Sequence, residues 1–154
     1  MNTKTPPGYR IQRATLLDIR AVHRLEQIVF PLDAYPYPDL ALLFLWPTMT
    51  NLKVVSPDGL LAGFVCGMGT RLRDHGWIVT LAIDPAHQRQ GLGRALLLAC
   101  ERRLPTRCIR LTVRASNVPA ITLYRHTGYT ILDRKPGYYR DGETGLVMEK
   151  CLES

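Results

Sequence analysis

The chain has 154 residues, 46% of them hydrophobic, with a formal net charge of +7; this is close to the usual size of one domain and apolar enough for its own core, so a single domain over residues 1–154 is expected. No stretch reaches the ~18–20 uninterrupted apolar residues of a membrane span, since Leu40–Trp46 is stopped by Pro47 and MNTKTPPGYR lacks the apolar centre of a secretory leader, which predicts a cytoplasmic protein with no membrane role. The positive charge is mostly arginine, dense between Arg89 and Arg140, and calls for an anionic partner; with no interleaved aromatics or recognised motif, direct nucleic-acid binding is not indicated and a phosphorylated cofactor fits as well.

Tyr9–Ala14 alternates as a strand does. Thr15-Leu16-Leu17-Asp18 reads as a capping box that opens a helix, with Ile19, Val22, Leu25 and Val29 at helical spacing. A Pro-rich loop, Pro31–Pro38, leads to a second short helix over Asp39–Trp46. Leu52–Ser56 and Leu60–Met68 are strand-like runs around the turn Pro57-Asp58-Gly59, and Trp77–Ile83 is a further strand after the polar loop Thr70–Gly76. From there helix and strand alternate: helix Gly91–Arg103, strand Arg107–Val113, helix Pro119–Thr127, and a closing hairpin of Thr130–Lys135 with Gly145–Lys150. The order β-α-α-β-β-β-α-β-α-β-β predicts an α/β fold with helices on both faces of one central sheet. Cys66, Cys100, Cys108 and Cys151 form no CxxC pair and stand at no metal-ligand spacing, so reduced, partly buried thiols and no metal are expected.

The chemistry concentrates after the strand Trp77–Ile83. Asp84-Pro85-Ala86-His87 is followed by Gln88-Arg89-Gln90-Gly91-Leu92-Gly93-Arg94 and then a helix. Glycines at 91 and 93 let the backbone turn tightly and approach a ligand, and a helix start offers unpaired N–H groups at the positive end of a dipole. Arg89 and Arg94 add charge there. Such a turn could equally be structural. It lacks the GxGxxG of dinucleotide folds and the GK[ST] of a P-loop.

QRQGLGRALL resembles the [R/Q]xxGx[G/A] signature of the GNAT superfamily of N-acetyltransferases. Leu111-Thr112-Val113-Arg114-Ala115-Ser116-Asn117, then Ala120, Leu123-Tyr124 and Gly128-Tyr129, resemble the LxVRxSNxxAxxLYxxxGF segment of its ribosomal-protein-alanine N-acetyltransferase branch, and Tyr138-Tyr139 with Asp141-Gly142-Glu143 resembles that branch's closing hairpin. The resemblance covers about Trp77 to Lys150. It implies a GNAT-type α/β fold with a mixed, largely antiparallel central sheet. It also implies acetyl-CoA as cofactor, its pantetheine arm along the backbone of Leu81, Ala82 and Ile83 and its pyrophosphate on the loop Gln88, Arg89, Gln90, Gly91, Leu92, Gly93 and Arg94. Asn117 and Ala120 would help fix it, although an asparagine just before Pro119 is also a natural N-cap. Tyr124 would lie by the thioester and protonate the departing thiolate as a neutral amine attacks the acetyl carbonyl directly; its other reading is an aromatic packed between helix and sheet.

The branch usually has glutamate, resembling a general base, where this chain has Thr112. Glu26, Asp33, His75 or a water chain are the replacement candidates, each also a plausible solvated surface group. A weak base costs less for an α-amine, pKa ~7.7–8.0, than for a lysine near ~10.4. Tyr35, Tyr37, Tyr138 and Tyr139 either line a groove for a peptide end or cover the core edge. The expected acceptor is a protein or peptide N-terminal α-amine, a ribosomal protein first; the alternatives are a small amine metabolite or drug, or a non-catalytic acyl-CoA-binding sensor.

Overall fold

A computed structural model of the protein describes residues Thr5–Leu152; the outermost residues of MNTKTPPGYR and of the expected 1–154 domain lie outside them. The elements are β1 (Arg10–Arg13), α1 (Ile19–Val29), α2 (Tyr37–Leu45), β2 (Met49–Val55), β3 (Leu61–Met68), β4 (His75–Ile83), α3 (Leu92–Arg103), β5 (Cys108–Arg114), α4 (Val118–His126), β6 (Thr130–Lys135) and β7 (Gly145–Cys151). Their order is the one expected. The seven strands run β1-β2-β3-β4-β5-β7-β6, with β4 and β5 parallel and β1–β2, β2–β3, β5–β7 and β6–β7 antiparallel.

The capping box forms: Thr15 accepts from Leu17 N–H while Asp18 accepts from Thr15 N–H at 2.9 Å. It opens a single 3-10 turn, Leu16–Asp18, from which α1 continues. β2 starts earlier than its apolar run suggests, because Met49, Thr50 and Asn51 pair with Met68, Gly67 and Cys66. Ladder bonding recruits polar residues that hydrophobicity alone leaves in a loop.

The chain gathers into two units, one holding the segment up to Met68 with Val79–Leu104, the other Gly69–Ile78 with the chain from Pro105. In the first, Val22, Leu25, Leu40 and Leu43 of α1 and α2 pack with Phe64 and Cys66 of β3, the rings of Phe44 and Phe64 lying 5.6 Å apart. Helix α3 covers the opposite face, for Cys100 Sγ lies 2.6 Å from where a Cβ on Gly67 would stand, and residues 64 and 67 point to opposite sides of a strand. In the second unit Ile109, Leu111 and Val113 alternate inward along β5, and Leu146, Val147 and Met148 of β7 are buried.

Two cysteines depart from expectation. Cys108 and Cys151 form a disulfide, where free thiols were expected. The cause is register: they are direct partners on β5 and β7, with Cα atoms 4.0 Å apart, though 43 residues separate them in sequence. Cys66 and Cys100 are free and buried.

Glu26 also differs from the solvated group its type suggests. It is 1% exposed on α1, and its Oε1 accepts from the Thr80 hydroxyl at 2.7 Å while Oε2 is buried with no partner among the described residues. Burial pushes its carboxyl above the ordinary range, and the Thr80 bond only partly offsets this. The fold therefore favours the protonated acid, so the stabilisation is complete below the unfolded value and is lost as pH rises through the folded one. Glu26→Gln should match or trail the wild type in Tm near pH 4 and exceed it by a few degrees near pH 8; a Tm difference independent of pH would refute the buried acid. Closing a 43-residue loop contributes up to about 4 kcal/mol in the chain-entropy account. Reduction of the oxidised protein should accordingly lower Tm by up to about 10 °C, read by calorimetry with and without dithiothreitol.

Candidate active site

In the first unit, β4 delivers Leu81, Ala82 and Ile83 to a 3-10 turn, Pro85–His87, which Asp84 caps by accepting from Ala86 N–H at 2.8 Å. Gln88 Nε2 donates back to the Ile83 carbonyl at 3.2 Å, so this expected cofactor residue also fastens the loop to the strand end. Tyr9 Oη and His87 Nδ1, 2.9 Å apart, anchor the turn from β1's side. Arg89 then takes φ 65°, a left-handed conformation uncommon for a residue with a Cβ, and Gly91 takes φ 82°.

Gly91 is the N-cap of α3 and, among the described residues, no side chain caps the helix. The first amides of a helix have no intrahelical acceptor, so those of Leu92 and Gly93 emerge at the positive end of the α3 dipole. A Cβ on Gly91 would meet nothing within 4 Å, leaving room for a ligand's oxygens. Gln88, Arg89 and Gln90 are exposed around it, Arg94 is half-buried, and Leu92 is 1% exposed, turning its side chain into the core. Alternating left-handed residues, an uncapped helix start and two arginines fit a diphosphate.

Among the described residues the β4–β5 ladder joins only His75, Gly76 and Trp77 to Cys108, Ile109 and Arg110. The β4 backbone at Leu81, Ala82 and Ile83 lies beyond it, where the amides of an extended arm could take the place of ladder partners.

The second unit holds Asn117, Ala120, Tyr124 and the hairpin tyrosines. Asn117 Oδ1 accepts from Ala120 N–H at 3.3 Å, so the N-cap role is realised. Tyr124 is 8% exposed, its ring 5.7 Å from that of Tyr129, and burial, reinforced by Tyr139, pushes its phenol up to about 12. Tyr138 and Tyr139 meet edge to face at 5.0 Å. Tyr138 lies across the bare Gly145, where a Cβ would stand 2.9 Å from Tyr138 Cδ1 and 3.1 Å from Thr112 Cγ2. The threonine that replaces the expected glutamate thus turns a methyl toward the floor beneath Tyr138.

Tyr35 and Tyr37 lie in the first unit. Tyr35 packs on the core under α1 and α2, covering the core edge, while Tyr37 is exposed with its ring 4.6 Å from His23. Of the base candidates, Glu26 is sealed in the core, Asp33 is exposed, and His75 Nδ1 pairs with Asp74 at 2.8 Å. Cys100 is buried and pushed up to about 12 by that burial, which suits packing and not a covalent relay.

The sequence profile of the Acetyltransferase (GNAT) family matches residues 19–129. The chain belongs to this family. It is a GNAT N-acetyltransferase, and the family takes its acetyl group from acetyl-CoA. An uncharacterised N-acetyltransferase of Methanocaldococcus jannaschii is 34% identical over 147 residues, covering 91% of this chain and 90% of that one. An N-alpha-acetyltransferase of Sulfurisphaera tokodaii is 29% identical, covering 94% and 93%. Among solved structures, the ribosomal-protein-S18-alanine N-acetyltransferase from Escherichia coli superposes with a TM-score of 0.83 at 28% identity over 95% of each chain.

The loop geometry makes its own test. Gly91→Ala should lose about 1–2 kcal/mol of stability from the left-handed backbone, because the added methyl meets no protein atom. Isothermal titration with acetyl-CoA should show at least tenfold weaker binding; unaltered affinity would mark the loop as a plain turn.

Proposed function

We propose that this GNAT N-acetyltransferase forms one catalytic domain, works in the cytoplasm and transfers acetyl from acetyl-CoA to the N-terminal α-amine of a protein or peptide, with a ribosomal protein as the first acceptor to try. The observation that carries the acceptor class is the floor beneath Tyr138: a threonine methyl stands where the related branch has a carboxylate. An α-amine, with a pKa of ~7.7–8.0, is already about a tenth neutral at pH 7, whereas lysine at ~10.4 is not. The hairpin tyrosines offer flat amphipathic faces suited to an extended peptide end. The Sulfurisphaera and Escherichia relatives, named for α-amine and ribosomal-protein acetylation, point the same way.

Acetyl-CoA supplies the activated acyl group and a thiol leaving group. The exposed amides at the start of α3, with Arg89, hold its pyrophosphate, and the backbone of Leu81, Ala82 and Ile83 takes its pantetheine arm. Asn117 and Ala120 set the start of α4, and Tyr124 holds a proton at Oη for the leaving sulfur. With its phenol pushed up to about 12, Tyr124 stays protonated throughout the working range and acts as a hydrogen-bond donor whose proton moves late. In the same reading Tyr138 and Tyr139 orient the acceptor.

Thiol release from acetyl-CoA with a panel of peptides, free lysine, polyamines and aminoglycosides tests the reading. Peptides with free α-amines should be preferred, and N-formylated versions inert. Preference for a small amine would defeat the acceptor class, and no turnover with any amine would defeat catalysis. Tyr124→Phe should cut kcat about 100-fold with acetyl-CoA affinity retained, and by the same factor from pH 7 to 9, because the phenol does not ionise there. An unchanged kcat would remove Tyr124 from the chemistry.

A further inference from the structure

The face of β5 that carries Thr112 ends in Arg114, and the side chain of Arg114 is the meeting point of the hairpin. Its Nη1 donates to Asp141 Oδ2 and to Glu143 Oε1, each at 2.8 Å, and its guanidinium carbon lies 4.2 Å from the centroid of the Tyr139 ring. The side chain is 16% exposed, more covered than either carboxylate. Both partners also use their second oxygen: Glu143 Oε2 accepts from Ser116 N–H at 2.8 Å, and Asp141 Oδ1 from Glu143 N–H at 3.1 Å. Backbone bonds close the turn, from Tyr139 N–H to Glu143 O, Gly142 N–H to Tyr139 O and Ala115 N–H to Thr144 O, with Gly142 left-handed at φ 90°.

One guanidinium therefore ties residues 138–144 to the turn between β5 and α4. That turn ends in Asn117, the cap of the helix that carries Tyr124. Hydrogen bonds and the guanidinium hold both carboxyls below their ordinary range, so the assembly is fully charged at neutral pH. An isolated surface ion pair contributes little. Here one planar cation satisfies two carboxylates and stacks on a ring, which lysine's point charge cannot reproduce.

We propose that Arg114 is a positioning residue for the acceptor: it holds Tyr139 and the Asp141–Glu143 turn in the one form that takes the peptide end, and so sets acceptor affinity apart from cofactor affinity. The proposal rests on the α-amine reading above.

Steady-state kinetics with a peptide acceptor test it. Arg114→Ala should raise the acceptor KM at least tenfold and leave the acetyl-CoA KM within twofold. Arg114→Lys should recover only part of that loss, and Glu143→Gln, which keeps shape and size, should show a smaller loss of the same kind. In a double-mutant cycle Arg114→Ala should add little to Tyr139→Ala, because both act through the same ring. Additive effects, full recovery by lysine, or equal shifts of both Michaelis constants would overturn the proposal. Should the wild type acetylate no α-amine, the acceptor reading falls by itself; the clamp is then judged by hydrogen exchange, where amides 138–144 must exchange at least tenfold faster in Arg114→Ala, and unchanged exchange overturns it.

Discussion

Packing of the apolar side of α3 fixes where its first amides point. Leu92, Ala95, Leu96, Leu97, Ala99 and Cys100 are all buried, and the close approach at Gly67 leaves no slack between α3 and β3. A helix seated this firmly cannot tilt to satisfy its own N-terminus, and Gly91 has no side chain to do so. The polar demand at that end is therefore left to solvent or to an anion. The left-handed residues before it, the Gln88 bond to the strand end and the Tyr9–His87 contact all hold the loop open around that demand.

The second unit works by a different principle. Its hairpin is buried along one strand only: Leu146, Val147 and Met148 of β7 are buried, whereas every residue of β6 is exposed and Tyr138 in the connecting turn is half-exposed. What shapes it is electrostatics and turn geometry centred on Arg114. Tyr124 by contrast is buried beside Tyr129, and that burial keeps its proton on. One unit offers a rigid anion cradle, the other an acid in a dry setting flanked by a polar clasp.

Much of this was legible in the chain. Strand, loop and helix around Gly91 follow from apolar periodicity interrupted by glycine, and the capping box at Thr15 follows from residue type alone. The start of β2 was not, because Thr50 and Asn51 enter the ladder through pairing with β3, which no local pattern reports. The Cys108–Cys151 bond depends on the β5–β7 register, a product of the whole fold. Glu26 was weighed as a surface group because charged residues are seldom buried; its neighbour Thr80 lies 54 positions away. In the hairpin the motif Tyr138–Glu143 was visible, but not that Arg114 is the residue it closes on, since an arginine on a strand carries no sign of its partner.

The position of β7 bears on how the molecule is made. It lies between β5 and β6, both of which precede it in the chain. As the polypeptide leaves the ribosome, β5 has an unpaired edge until residues 145–151 have been synthesised, and β6 has no neighbour at all. An open strand edge invites pairing with another chain, and contacts across a long sequence separation form slowly. Charged side chains on an open edge discourage such pairing, and β5 carries Arg110 and Arg114 while β6 carries Asp133, Arg134 and Lys135.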